Sequence, residues 1–145
     1  MIVPDADLLL YAYDSTCPFH APARRWWEAC LSGNEPVGLT QPVIFAVVRI
    51  ATSARAFAHP MTLPHVSDLV VSWLARRVTQ VIEPDADHIR RVLELLAAAG
   101  SAGGSLVTDA QIAAIALAHR AVVHTADRDF MRFPGLNCLY PLDQR

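Results

Sequence analysis

The residues of this chain best suited to chemistry are aspartates at particular places. Asp5 follows Ile2-Val3-Pro4, Asp109 follows Leu106-Val107-Thr108, and Asp127 and Asp129 follow the apolar run 121–125. Each of those apolar segments predicts a short strand. The sequence holds fourteen acidic residues in all, and these four fall at three predicted strand ends. In parallel α/β sheets ligands bind beyond the carboxyl ends of strands. Carboxylates gathered there repel one another, and one stays protonated unless a cation intervenes. Hard oxygen donors, with water filling the remaining positions, suit Mg²⁺ or Mn²⁺ better than zinc. No His-x-x-x-His or Cys/His cluster competes. Taken one at a time, Asp5 and Asp109 equally suit helix N-caps, and Asp127 and Asp129 a solvated turn.

The elements that must position these acids alternate along the chain. A strand at Ile2-Val3 leads into a helix at 8–13, with Asp5 or Asp7 able to cap it. Pro18, His20 and Pro22 mark a loop before a helix at 24–31. A strand at 37–39 precedes a helix over 43–50, with Pro42 in its first turn. Residues 54–64 read as a loop or clip, 66–77 as a helix and 78–82 as a strand. Ile89, Val92, Leu93 and Leu96 fall at helical spacing within 86–99. A glycine-rich turn over 100–105 precedes an extended Leu106-Val107, a Thr108-Asp109 cap and an alanine-rich helix over 110–120. The run 121–125 is a strand, and the tail adds a last strand at the sheet edge. Short strands alternating with helices predict an α/β fold with a parallel sheet covered on both faces.

Composition narrows the class. A chain of 145 residues, 53% apolar, suits one compact domain spanning 1–145. The net charge of −2 gives no global basic field for nucleic acid, so any grip on phosphate must be local. All twelve basic residues are arginine, so a mechanism that demands lysine is excluded. Cys17, Cys30 and Cys138 lack paired spacing and read as reduced packing thiols. Neither a signal peptide nor a membrane span is visible, so a soluble cytoplasmic protein is expected.

Three stretches resemble the VapC-type toxins of the PIN-domain family. They are Asp5-Ala6-Asp7-Leu8-Leu9-Leu10-Tyr11-Ala12; Thr108-Asp109-Ala110-Gln111-Ile112-Ala113-Ala114-Ile115-Ala116; and Thr125-Ala126-Asp127-Arg128-Asp129-Phe130 with Arg132-Phe133-Pro134-Gly135-Leu136. With 43–52, the likeness covers nearly the full chain. The resemblance implies a PIN-like three-layer α/β fold, its short central parallel sheet flanked by helices. It also implies an Mg²⁺-dependent endoribonuclease, with Mn²⁺ as a substitute, leaving 5′-phosphate and 3′-hydroxyl ends and paired with a VapB-like antitoxin. In that pattern Asp5, Asp109 and Asp127 are the acidic cluster, with Asp5 and Asp109 as metal ligands. Asp7, Asp129 and Thr125 stand as secondary acids or polar helpers. Two departures mark this chain. Ala46 occupies a position where relatives commonly carry Glu, and Asp7 stands where Asn is usual, which leaves one or two metals open.

Arg49 and Arg128 are the expected RNA contacts, with Arg132 a weaker third. Trp26 and Trp27 read as core rather than as base-stacking platforms, and the six histidines as packing or surface residues. The apolar richness predicts a second surface, for a homodimer or an antitoxin helix, with 54–64 as its candidate segment. Two rival readings remain. One is a non-catalytic RNA- or partner-binding PIN domain, because of Ala46. The other is a haloacid-dehalogenase-like phosphatase built on Asp5-Ala6-Asp7, which would have to replace its usual lysine by arginine.

Overall fold

The computed structural model describes residues 1–100, 104 and 106–143. Its centre is a five-stranded, wholly parallel sheet made of β1 (Ile2–Pro4), β2 (Val37–Leu39), β3 (Thr79–Val81), β4 (Val122–His124) and β5 (Asn137–Leu139). The order across the sheet is β3-β2-β1-β4-β5. The chain therefore builds leftward from β1 to β2 and β3, then crosses back to lay β4 on the other side of β1. Val3, Val37, Leu39 and Val123 are fully buried, as expected for strands covered on both faces.

Among the described residues six α-helices cover the sheet: α1 (Ala6–Tyr13), α2 (His20–Ser32), α3 (Gln41–Ala51), α4 (Leu63–Leu74), α5 (His88–Ala98) and α6 (Leu106–Ala118). Helix α1 packs on α2 and α3, and α6 packs on α3 and α5. The tryptophans join this core. Trp27 meets Trp73 edge to face at 5.7 Å, and Trp73 Nε1 donates to Tyr13 Oη at 2.9 Å. Among the described residues no helix is long and apolar enough to cross a membrane.

The expected elements form, with three corrections. Leu106 and Val107 are not extended; they make the first turn of α6. An apolar pair ahead of Thr-Asp looks like a strand before a cap, but α6 is apolar nearly all round and fully buried from Ala110 to Ala116 apart from Gln111, so it lacks the one-sided periodicity that betrays a helix. His20 and Pro22 lie inside α2, where a proline is tolerated in the first turn. Helix α4 starts at Leu63, capped by Thr62, whose Oγ1 accepts from His65 N at 3.3 Å, so Pro64 belongs to it and 75–77 do not. Of the expected glycine-rich turn, 101–103 and 105 lie outside the described residues.

Candidate active site

The sheet order reverses between β1 and β4, and Asp5 and Asp127 follow the carboxyl ends of those two strands. Such a switch point opens a crevice because the connections leave in opposite directions. Here it is a cleft of about 480 Å³, with Asp5, Asp7, Asp109 and Asp127 in its wall beside Ala46 and Arg49. Asp109 reaches it by another route than the sequence suggests. It stands in the first turn of α6, near the positive end of that helix, rather than at a strand end.

Asp5 is buried and held on both oxygens. Oδ1 accepts from Ala6 N at 2.7 Å, capping α1, and Oδ2 accepts from Thr125 Oγ1 at 2.7 Å. The fully buried Thr125 is a relay, since its hydroxyl oxygen also accepts from Asp127 N at 2.9 Å. Asp127 in turn caps the 3-10 turn over Arg128–Arg132, its Oδ1 accepting from Asp129 N at 2.8 Å. Asp7 is tied to the same loop: Oδ1 accepts from Leu8 N at 2.6 Å and Oδ2 from Ala126 N at 3.3 Å. The capping roles and the cleft positions thus belong to the same side chains.

Electrostatics mark the cluster as short of positive charge. Burial pushes the Asp5 carboxyl above its ordinary value, against the hydrogen bonds from Thr125 and Ala6, and the charge of Asp127 adds to the rise. Asp7 is pushed up to about 8 by burial and by the neighbouring Asp5. Asp109 rises to about 7 through burial and then the charges of Asp5, Asp127 and Asp129. Among the described residues no three His, Cys, Asp or Glu side chains gather closely enough to hold an ion unaided. Carboxylates that raise one another's pKa across a water-accessible cleft nevertheless fit a hard divalent ion that keeps part of its water shell.

The remaining candidates are spread around this cleft. Arg49 lines it, and among the described residues no ion pair holds its guanidinium. Arg128 is not in the cleft wall; it is paired with Asp143 and lies 4.0 Å above the Tyr140 ring. Asp129 lies outside the cleft wall, 3.6 Å from Arg132, which also donates to Ala99 O at 2.7 Å. Ala46 sits in the wall with no acid to offer. Thr108, which the sequence presents only as part of a cap, also lines the cleft; its place beside Asp109 was the available signal.

The PIN domain family matches residues 2–136. Ribonuclease VapC33 of Mycobacterium tuberculosis is 38% identical over 142 residues, covering 98% of this chain and 99% of that protein. Ribonuclease VapC37 of the same organism is 36% identical over 136 residues, 94% of each. Among solved structures, VapBC2 from Rickettsia felis, bound to a DNA fragment from its promoter, superimposes with a TM-score of 0.68 at 19% identity over 96% of this chain and 98% of that one. At that identity the likeness is one of fold.

Proposed function

We infer that this chain, which belongs to the PIN domain family, is a divalent-metal-dependent endoribonuclease acting in the cytoplasm as the toxin of a VapBC-type pair. Family membership implies a divalent metal; Mg²⁺, with Mn²⁺ as substitute, is the choice that an all-oxygen donor set favours. The observation that carries the reading is the arrival of Asp5, Asp109 and Asp127, from three distant parts of the chain, in one cleft at the switch point of the sheet.

Asp5 and Asp109 would hold the metal. Bound there, it supplies Lewis acidity toward a phosphate oxygen and lowers the pKa of water. The chain's own residues do the rest. Thr125 fixes the Asp5 carboxylate through Oδ2 and the Asp127 backbone through its own oxygen, so two acids keep one spacing. Asp127 orients the attacking water or acts as its base, and Asp7 and Asp129 are secondary acids. Arg49 receives a phosphate beside the cleft, and Arg128 a second one by exchanging Asp143 for RNA.

The relatives' names support ribonuclease activity, and the VapBC2 assembly supports an antitoxin partner. One domain spanning 1–145, a VapB-like antitoxin, a second copy of the chain and the segment 54–64 as a partner contact complete the proposal. The phosphatase alternative gives way to the family match. The non-catalytic alternative retains one observation, Ala46 in the cleft wall.

Cleavage of a structured RNA pool by purified, antitoxin-free protein tests the reading, in Mg²⁺, in Mn²⁺ and in EDTA. We expect cutting in either metal, none in EDTA, and none from a folded Asp5→Asn variant. RNA binding without cutting in any condition would transfer the case to the non-catalytic alternative; undiminished cutting by Asp5→Asn would remove Asp5 from the site.

A further inference from the structure

Asp5 is tied to two consecutive residues at the end of β4. Its backbone N donates to His124 O at 2.8 Å, and its Oδ2 accepts from Thr125 Oγ1 at 2.7 Å. Pro4, which pairs with His124 across β1 and β4, has no N–H to offer that carbonyl. The direction of the Asp5 carboxylate therefore follows the place where the end of β4 is held. On one side Thr125 N donates to Leu139 O at 3.1 Å, which secures that end to β5.

The other hold on it comes from a distant helix. Trp26 of α2 donates its indole N–H to His124 Nδ1 at 3.1 Å, with the ring centroids 5.9 Å apart. An indole nitrogen only donates, so Nδ1 accepts and carries no proton. His124 is buried and Trp26 half-buried, and neither lines the acid cleft. Trp26 packs on Trp27, and Trp27 on Trp73, so the imidazole ends a row of rings that runs from α4 through α2 to β4. Burial alone does not ask for the bond between Trp26 and His124. Trp27 Nε1, in the same row, is buried with no hydrogen-bond partner among the described residues, so this core admits an unmatched indole N–H. The matched one is the one that reaches the strand leading into Thr125.

We propose that Trp26 and His124 are positioning residues of the acid cleft: the indole N–H fixes the imidazole, and through it the end of β4, where Thr125 holds the Asp5 carboxylate toward the cleft. The inference rests on the ribonuclease reading for its kinetic consequence. Small displacements of a group at the reacting centre enter the rate steeply, while substrate contacts made elsewhere are kept. Loss of the bond should thus act on kcat rather than on KM, and should loosen the metal that Asp5 would hold.

The test uses the full, antitoxin-free chain. Trp26→Phe keeps a ring and loses the N–H, His124→Leu loses the acceptor, and a double variant loses both. His124→Asn offers an Oδ1 in place of Nδ1. Cleavage of an RNA that the unmodified chain cuts gives kcat and KM, calorimetry gives Mn²⁺ affinity, and thermal unfolding gives stability. Trp26→Phe and His124→Leu should each lower kcat about fivefold or more with KM within about twofold, and each should weaken Mn²⁺ binding. The double variant should be no worse than either single one, and His124→Asn should recover most of the loss. Unchanged kcat and Mn²⁺ affinity in Trp26→Phe overturn the proposal. So do losses that add in the double variant, or that follow the thermal midpoint in every variant alike, since the pair would then be packing alone. If the unmodified chain cuts no RNA, the ribonuclease reading falls and Mn²⁺ affinity decides the positioning: weakened in Trp26→Phe and kept in His124→Asn supports it, and equal affinity throughout overturns it.

Discussion

Each aspartate at the switch point serves the backbone and the cleft together. Asp5 caps α1 and Asp127 caps a 3-10 turn, yet both face the same space, and Thr125 ties one to the other. A residue that reads as a cap is therefore not thereby disqualified as a ligand. The arginines separate more sharply. Arg49 stands in the cleft wall without an ion-pair partner among the described residues, whereas Arg128 must give up Asp143 and its place over Tyr140 before it reaches RNA. Arg49→Ala should thus weaken RNA binding more than Arg128→Ala. It should also flatten the plot of log affinity against log salt by about 0.7, the slope carried by one neutralised phosphate of a single strand. An equal effect of the two substitutions in fluorescence anisotropy would contradict this ranking.

At the scale of elements, α6 places Asp109, the second acid proposed to hold the metal. Its start at Leu106 rather than Ala110 puts Asp109 in a helical first turn, where position depends on how deeply the helix is seated. Ala113, Ala114 and Ala116 are fully buried, which lets α6 lie close to its neighbours. Enlarging one of them has no free space to use. Ala114→Leu should cost about 1–3 kcal/mol in chemical denaturation, and should lower cleavage further by displacing Asp109. A variant of native stability would show that α6 packs more loosely than its burial indicates. This helix was also the element least legible in the sequence. Helix α5 was legible from the helical spacing of Ile89, Val92, Leu93 and Leu96, although it buries Val92 and Leu95 and leaves Ile89 and Leu93 exposed; a helix surrounded by protein, as α6 is, carries no polar stripe to count from.

For the whole molecule, the cleft is a concentration of negative charge in a chain of net charge −2. Asp109 and Asp7 sit at about 7 and about 8 in the metal-free fold, against an ordinary 3.8. The folded chain holds protons that the unfolded chain releases above that ordinary value. Their contribution to stability is complete below about pH 4 and is lost as pH rises through 7 and then 8. The thermal midpoint of metal-free protein should accordingly fall from about pH 4 to about pH 8 and level off above that. Mg²⁺ or Mn²⁺ should raise it most at the upper end, where the carboxylates are ionised and free to bind. Asp109→Asn should make the fall between about pH 4 and 7 shallower and leave the part owed to Asp7. A midpoint that is flat with pH in EDTA and indifferent to Mg²⁺ would contradict the charge deficit drawn from the cleft.

The sequence by itself determined the class of fold, the parallel sheet and which aspartates to watch, because those follow from local signals. Apolar triplets such as Ile2-Val3-Pro4 and the run 121–125 must be buried, and the acids beside them stand at the ends of buried strands. Tertiary structure decided what no local pattern encodes. The crossing of the chain from β3 to β4 sets Asp127 beside Asp5, 122 positions away in sequence, and the depth of α6 brings Asp109 to them. It also left Arg49 in the cleft while giving Arg128 to Asp143, a division that two equally charged side chains cannot announce. Burial and convergence are properties of the packed chain, and so are the raised carboxyl pKa values of the cleft.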